Sequence, residues 1–242
     1  MLPPAIPSSG GFLAPFLHAG IFAQCVVIVL ASMSVATWAV VIRKFRTLGR
    51  ASRQTRQFLG TWGFRTRLGD YETVARQLRH SPLSSLLLAG VKEFDALRTE
   101  FGKSEAGPEL LQHMIPNITE AMERVASREV AKIEGSLSFL SITTMVAPFM
   151  GLLGTVQGVL VTFMTLRGTQ IPTLQSIAPG ISDALITAVT GLVVAIPAAL
   201  FYNYFVGRAH DIEGDMERFE SELTGIMRRE IVVSQVEQRK GQ

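Results

Sequence analysis

Two sets of polar residues lie where polarity is costly. Thr144, Thr155 and Thr162 fall in a block, 135–166, that holds no Asp, Glu, Lys or Arg. Their spacings of 11 and 7 residues, at about 100° per residue, keep them within about 20° of one line along a helix. Asp183, Thr187, Thr190 and Val194 follow at +4, +7 and +11, a second narrow stripe. A hydroxyl in a membrane helix can satisfy itself on the carbonyl four residues back, so a single threonine says little. Two aligned stripes, one headed by a carboxylate, form the pattern of a polar lining, because intramembrane ionisable residues usually face a bundle interior or water. The alternative for Asp183 is a place at the outer interface, solvated or capping the helix of its own span.

Small residues accompany both stripes. Gly151, Gly154 and Gly158 lie in the first block, and Gly180, Ala184, Ala188, Gly191, Ala195, Ala198 and Ala199 in the second. In lipid the hydrophobic effect does not draw helices together, so close contact through small residues has to do so. Pro148 and Pro197 sit deep in these segments and are expected to kink them, with nearby groups taking up the freed carbonyls.

No enzymatic site is legible. The segment GLLGTVQG at 151–158 lacks the Gly-Lys-Ser/Thr of a phosphate loop. There is no Gly-x-Ser-x-Gly, no His-Glu-x-x-His and no Cys–His pair at useful spacing. His18, His80, His113 and His210 are scattered, and Cys25 is alone, which excludes a disulfide framework or a multi-cysteine metal centre. No catalytic residue, metal or cofactor is expected, and Cys25 reads as a small packing residue.

The elements that must carry these residues follow from where charge is missing. The chain is 48% hydrophobic and 18% charged, with 23 Lys+Arg against 20 Asp+Glu, a net charge of +3. No charge occurs in 1–42, 135–166 or 184–207. About 20 apolar residues cross a bilayer as a helix, so the fold class is all-α and integral to the membrane. The division expected is an N-terminus at 1–17, a first span at 18–42, a helical domain at 43–134, a second span at 135–166, a short loop at 167–176, a third span at 177–206 and a helical tail at 207–242. The first span is not a cleaved signal, since no Lys or Arg precedes it and it is too long for a signal core.

Positive residues set the orientation. Arg43, Lys44, Arg46, Arg50, Arg53 and Arg56 follow the first span, while only Arg167 lies between the second and third. The 43–134 domain and the tail are therefore expected in the cytoplasm, and the N-terminus and 167–176 loop in the periplasm. The basic stretch is read as this signal together with contact to membrane lipid, not as a nucleic-acid surface. Gly60, Gly63, Gly69 and Ser81-Pro82 break the domain, and so does 102–108. Ile118, Met122, Val125, Ala126 and Ile133 share a helix face, as do Ile212, Met216, Phe219, Leu223 and Ile226. With no proline after Ile118 until the second span, one helix is expected to run from there into the bilayer. Another should continue the third span into the tail, giving two long helices that extend into the cytoplasm as part of a bundle.

The segments APFMGLLGTVQG (147–158) and APGISDALITAVTGLVVAIP (178–197), followed by Tyr202-Asn203, resemble the paired signature of the TolQ/ExbB/MotA proton-channel proteins. The TolQ/ExbB branch fits best, and His18-Ala19 and Thr37-Trp38-Ala39 are similar too. Gly90-Val91-Lys92-Glu93-Phe94 and the 211–231 tail look more like TolQ than ExbB. The resemblance implies an inner-membrane homo-oligomer, a pentamer, around a dimer of a single-span partner, TolR or ExbD. Proton flow would move that partner and drive TolA or TonB, which act on the outer envelope. Ring threonines would line the path beside the partner's own intramembrane Asp. Thr155 matches the family's Gly-Thr-Val threonine. Gln157 stands where a Trp is usual, Asp183 where a Glu is, and Ala188 where a pathway threonine is expected. A shift of one residue turns a side chain by about 100°, so Thr187 does not inherit that role and Thr190 is the nearer substitute. The rival readings are a passive oligomeric scaffold, its threonines acting as packing glue, and a transporter subunit for another solute.

Overall fold

The computed structural model of the chain describes residues 20–62, 68–101, 109–167 and 173–240. The expected N-terminus at 1–17, the His18-Ala19 start of the first span, the breaks at Gly63 and 102–108, and positions 168–172 of the short loop lie outside the described residues. Among the described residues there is no strand. The helices are α1 (Ile21–Thr61), α2 (Leu68–Gln77), α3 (Pro82–Phe101), α4 (Glu109–Glu134), α5 (Leu137–Leu166) and α6 (Leu174–Lys240). Three stretches, within α1, from Met114 to the end of α5, and within α6, are long and apolar enough to cross a membrane. The chain is an all-α integral membrane protein.

It divides into two units. The membrane unit takes the described residues up to Ile42 with Leu137–Tyr204, and the charged unit takes Arg43–Ser136 with Phe205–Gln242. In the membrane unit Val26 and Leu30 of α1 pack with Ala147 of α5 and with Val194 and Ala195 of α6. Trp38 meets Phe201 edge-on, ring centres 5.6 Å apart. Phe149, Leu153, Val156, Leu185, Val193 and Leu200 are exposed. Such outward apolar surface would be a liability in water and suits lipid or a neighbouring helix.

The charged unit is built as a water-soluble bundle is. Phe58 of α1, Leu83, Leu86 and Leu87 of α3, Ile118 and Met122 of α4, and Met216, Phe219 and Leu223 of α6 form one buried core. The α4 and α6 residues lie on the helix faces that the apolar spacing predicts; the α1 and α3 contributions were not among them. Phe219 lies edge-on to Phe58 at 5.5 Å and to Trp62 at 4.6 Å. On the polar side Glu220 is partly buried, and burial, then the nearby charges of Glu123 and Glu217, push its carboxyl above the usual range.

The break expected at Gly60 falls at the end of α1, which runs past the first span to Thr61. Gly49, within that continuation, is exposed, where a helical glycine costs only about 1 kcal/mol against alanine, while Leu48, Ala51 and Phe58 bury their side chains. One expectation about helix bounds needs correction: no single helix runs from Ile118 into the second span. A two-residue turn at Gly135-Ser136 parts α4 from α5, so the two longest helices are α1 and α6. The cause comes from α1. Lys44 is buried, and its Nζ donates to the carbonyls of Lys132, at 3.4 Å, and Ile133. Arg43 Nη2 donates to Ser136 Oγ at 3.0 Å. The last carbonyls of a helix have no partner of their own and carry the negative end of its dipole, so a cation there closes the helix. Burial, and secondarily Arg43, lower the pKa of Lys44.

Candidate functional site

Glycine brings α5 and α6 together. A Cβ added to Gly151 would stand 3.0 Å from the Thr187 carbonyl oxygen, and one on Gly158 2.9 Å from that of Gly180. One on Gly191 would stand 2.6 Å from the Ala147 carbonyl oxygen and 3.0 Å from Gly151 Cα. Residue numbers rise on one helix as they fall on the other, so the pair is antiparallel, with backbone against backbone. Pro148 and Pro197 are both accommodated inside unbroken helices.

Threonines of both stripes fill the remaining notches. The Thr187 side chain occupies the space a Cβ on Gly154 would take, and the Thr162 side chain does the same at Gly180. Both are buried, Thr187 at 0% and Thr162 at 7% exposure. Thr187 Oγ1 donates to the Ala184 carbonyl at 2.8 Å, and Thr162 Oγ1 to that of Gly158 at 2.8 Å. These two hydroxyls lie in the contact between the helices.

Thr144, Thr155 and Thr190 are placed differently. Each is half-buried, with a hydroxyl that donates within its own helix: to Leu140 at 2.9 Å, Leu152 at 2.6 Å and Ile186 at 2.7 Å. Thr155 follows Gly154 and is turned about 100° from it, beside the helix contact and not in it. A hydroxyl that has donated its proton still offers two lone pairs. Thr144, Thr155 and Thr190, each partly exposed, can therefore accept from water or from a group outside the chain.

Asp183 is held at the membrane unit's other helix. Its Oδ2 accepts the N–H of Gly20 at 2.8 Å, and the Gly20 carbonyl accepts the N–H of Gln24 at 3.0 Å. Gly20 is thus the residue that opens α1, and the carboxylate of α6 closes that end. Helix starts favour an acceptor and a negative charge. The structure therefore brings Thr162 and Thr187 into the α5–α6 contact, leaves Thr144, Thr155 and Thr190 half open, and sets Asp183 on the start of α1.

Two residues escaped the reading of spacing. Thr143 is fully buried, and its hydroxyl donates to the Phe139 carbonyl at 2.9 Å. Its position on the same face as Ala147, Gly151 and Gly154 was the available signal. Thr37 of α1 is 2% exposed, and its Oγ1 is buried without a hydrogen-bond partner. Nothing in the spacing of the first span marks it. Among the described residues no three His, Cys, Asp or Glu side chains gather as metal ligands would.

Comparison with known proteins places these segments in context. Residues 80–218 match the model of the MotA/TolQ/ExbB proton channel family. The Tol-Pal system protein TolQ of Haemophilus influenzae is 34% identical over 221 residues, 90% of this chain and 94% of that protein. TolQ of Pseudomonas aeruginosa is 33% identical over 223 residues, 90% of this chain and 92% of its own length. The biopolymer transport protein ExbB of Pseudomonas putida is 30% identical over 190 residues, 78% of this chain and 55% of that protein.

Proposed function

The chain belongs to the MotA/TolQ/ExbB proton channel family, and we propose that it is the ring-forming subunit of a Tol-Pal-type motor in a bacterial inner membrane. In this reading several copies, a homopentamer, surround a TolR-like single-span partner. Proton flow past the ring moves that partner, and the movement reaches a TolA-like protein that acts on the outer envelope. The coverage of two TolQ proteins almost end to end favours this role over the ExbB one. The cationic stretch after the first span favours a cytoplasmic 43–134 domain and tail, with the N-terminus in the periplasm.

The observation that carries the channel reading is the placement of Thr155. It is the threonine of the family's Gly-Thr-Val motif, and its oxygen is partly open beside the helix contact. Thr144 lies on the same line, and Thr190 is the open threonine of α6. Thr162 and Thr187 hold the helices at the distance this line requires, and Asp183 fixes α1 to them. Gly151, Gly154, Gly158 and Gly191 supply the contact.

One observation favours the scaffold reading instead: every threonine of the two stripes satisfies its hydroxyl on its own helix. The two readings separate in liposomes that carry a pH dye and an imposed proton gradient. With the single-span partner present the channel subunit passes protons, and without it flux falls to the lipid background. Intact rings that hold the partner and stay proton-tight would establish the scaffold.

A further inference from the structure

All the charge on α1 is of one sign. Arg43, Lys44, Arg46, Arg50, Arg53 and Arg56 are its charged residues, and no Asp or Glu occurs in Ile21–Thr61. Lys44 turns inward to the end of α4, whereas Arg43, Arg46, Arg50 and Arg53 are exposed. Offsets of 3, 7 and 10 residues from Arg43 put these four within about 80° of one another around the helix. Some cations elsewhere in the charged unit are answered by acids of their own helices: Arg76 by Glu72 at 2.5 Å, Arg124 by Glu120 at 2.6 Å and Arg208 by Asp211 at 3.0 Å; α1 has no acid to do so. Among the described residues no ion pair is made by Arg46, Arg50 or Arg53.

Depth decides what such a stripe meets. If the first span ends at Ile42, Arg46 lies about 6 Å and Arg50 about 12 Å further along the axis. The headgroup layer on one side of a bilayer is about 5–7 Å thick, and arginine stems reach back toward it. Arg53, about 16 Å past the span, lies beyond. Guanidinium groups grip phosphate through paired N–H donors, and a charged bilayer surface presents phosphates at this depth. One donor of Arg43 is taken by Ser136; the rest of its fork remains.

We infer that Arg43, Arg46 and Arg50 form a binding surface for the headgroup of an anionic phospholipid, so that α1 leaves the bilayer through a shell of negatively charged lipid. Nothing in the inference depends on proton conduction.

Trp38 reports on it directly. It is 48% exposed and lies about 7 Å before Arg43 along α1. Trp62 follows the end of that helix, about 30 Å past Ile42, too far to be quenched by lipid. The full chain is reconstituted in phosphatidylcholine vesicles, with brominated phosphatidylglycerol or brominated phosphatidylcholine as quencher. Stronger quenching of Trp38 by the anionic lipid is expected, with relative affinity falling about fivefold for each arginine changed to Gln. The double variant Arg46→Lys/Arg50→Lys, which keeps the charge, should retain the preference and serves as the control for folding. Equal quenching by the two lipids overturns the inference. So does a preference that survives Arg43→Gln/Arg46→Gln/Arg50→Gln, or one abolished by millimolar inorganic phosphate at constant ionic strength.

Discussion

The two units use glycine in opposite ways. In the membrane unit Gly151, Gly158 and Gly191 stand where another backbone approaches, and an added Cβ would meet a carbonyl oxygen at 3.0 Å or less. In the charged unit Gly49, Gly60, Gly207, Gly214 and Gly225 have nothing within 4 Å, and Phe58, Leu86, Met122 and Leu223 do the packing. The solvent explains the difference. Water drives large apolar side chains together, at roughly 25 cal/mol per Å² removed from contact with it. Lipid gives no such drive, so membrane helices gain by bringing backbones close. Two glycines of the charged unit differ: Gly90, with Met122 Sδ 2.9 Å from its would-be Cβ, faces a flexible side chain, and Gly135, with the Ala131 carbonyl oxygen at 3.2 Å, lies in the turn that ends α4.

Substitutions that exchange the two strategies should break each unit separately. Phe58→Ala empties a site at 0% exposure and should cost about 3–5 kcal/mol. It would appear as an earlier denaturation midpoint in the fluorescence of Trp62, whose ring lies 5.8 Å from that of Phe58. Gly191→Ala drives a methyl into the backbone of α5 and should cost about 1–3 kcal/mol, read as the fraction of chain that stays monodisperse in mild detergent on heating. Gly214→Ala makes the same chemical change in open space and should stabilise the charged unit by up to about 1 kcal/mol. Equal effects of these two alanines would dissolve the contrast.

The smallest effect sharpens the electrostatic side. The folded state raises the Glu220 pKa, through burial first and Glu123 and Glu217 after it, so the fold holds that proton more tightly than the unfolded chain does. Stability of the charged unit should then fall as pH rises from the ordinary carboxylate value through the raised one. Glu220→Gln should flatten that part of the pH profile and add about 0.3 kcal/mol at neutral pH. Urea titrations of both proteins at several pH values check it, and a Gln variant with an unchanged profile would contradict the assignment.

Much of this was legible because charge is absent over long runs. A stretch such as 135–166 has no stable home but a bilayer or a buried core, and the apolar faces of 118–133 and 212–226 follow from helical period alone. The turn at Gly135-Ser136 carried only one local signal, a glycine just past the last residue of α4. Its other support, Lys44 some 90 residues earlier in the chain, is a cap that no local rule finds. How far α1 runs past the first span was hidden for a related reason: its continuation to Thr61 rests on the burial of Leu48, Ala51 and Phe58. In the site, helical phase puts Thr144, Thr155 and Thr162 on one line and Thr187 and Thr190 on another. Phase does not distinguish the members of either line; the opposing glycines do, since Gly180 and Gly154 receive Thr162 and Thr187, while no such notch receives Thr155.

That separation is the central claim, and paired valine substitutions in the flux assay test it. Valine keeps the shape of threonine and removes the hydroxyl. With ring size and partner content matched, Thr155→Val should lower partner-dependent proton flux about tenfold, the equivalent of one hydrogen bond lost from the path, while Thr187→Val leaves it near the native rate. Flux that survives Thr155→Val and collapses with Thr187→Val would place the path in the helix contact and contradict the account.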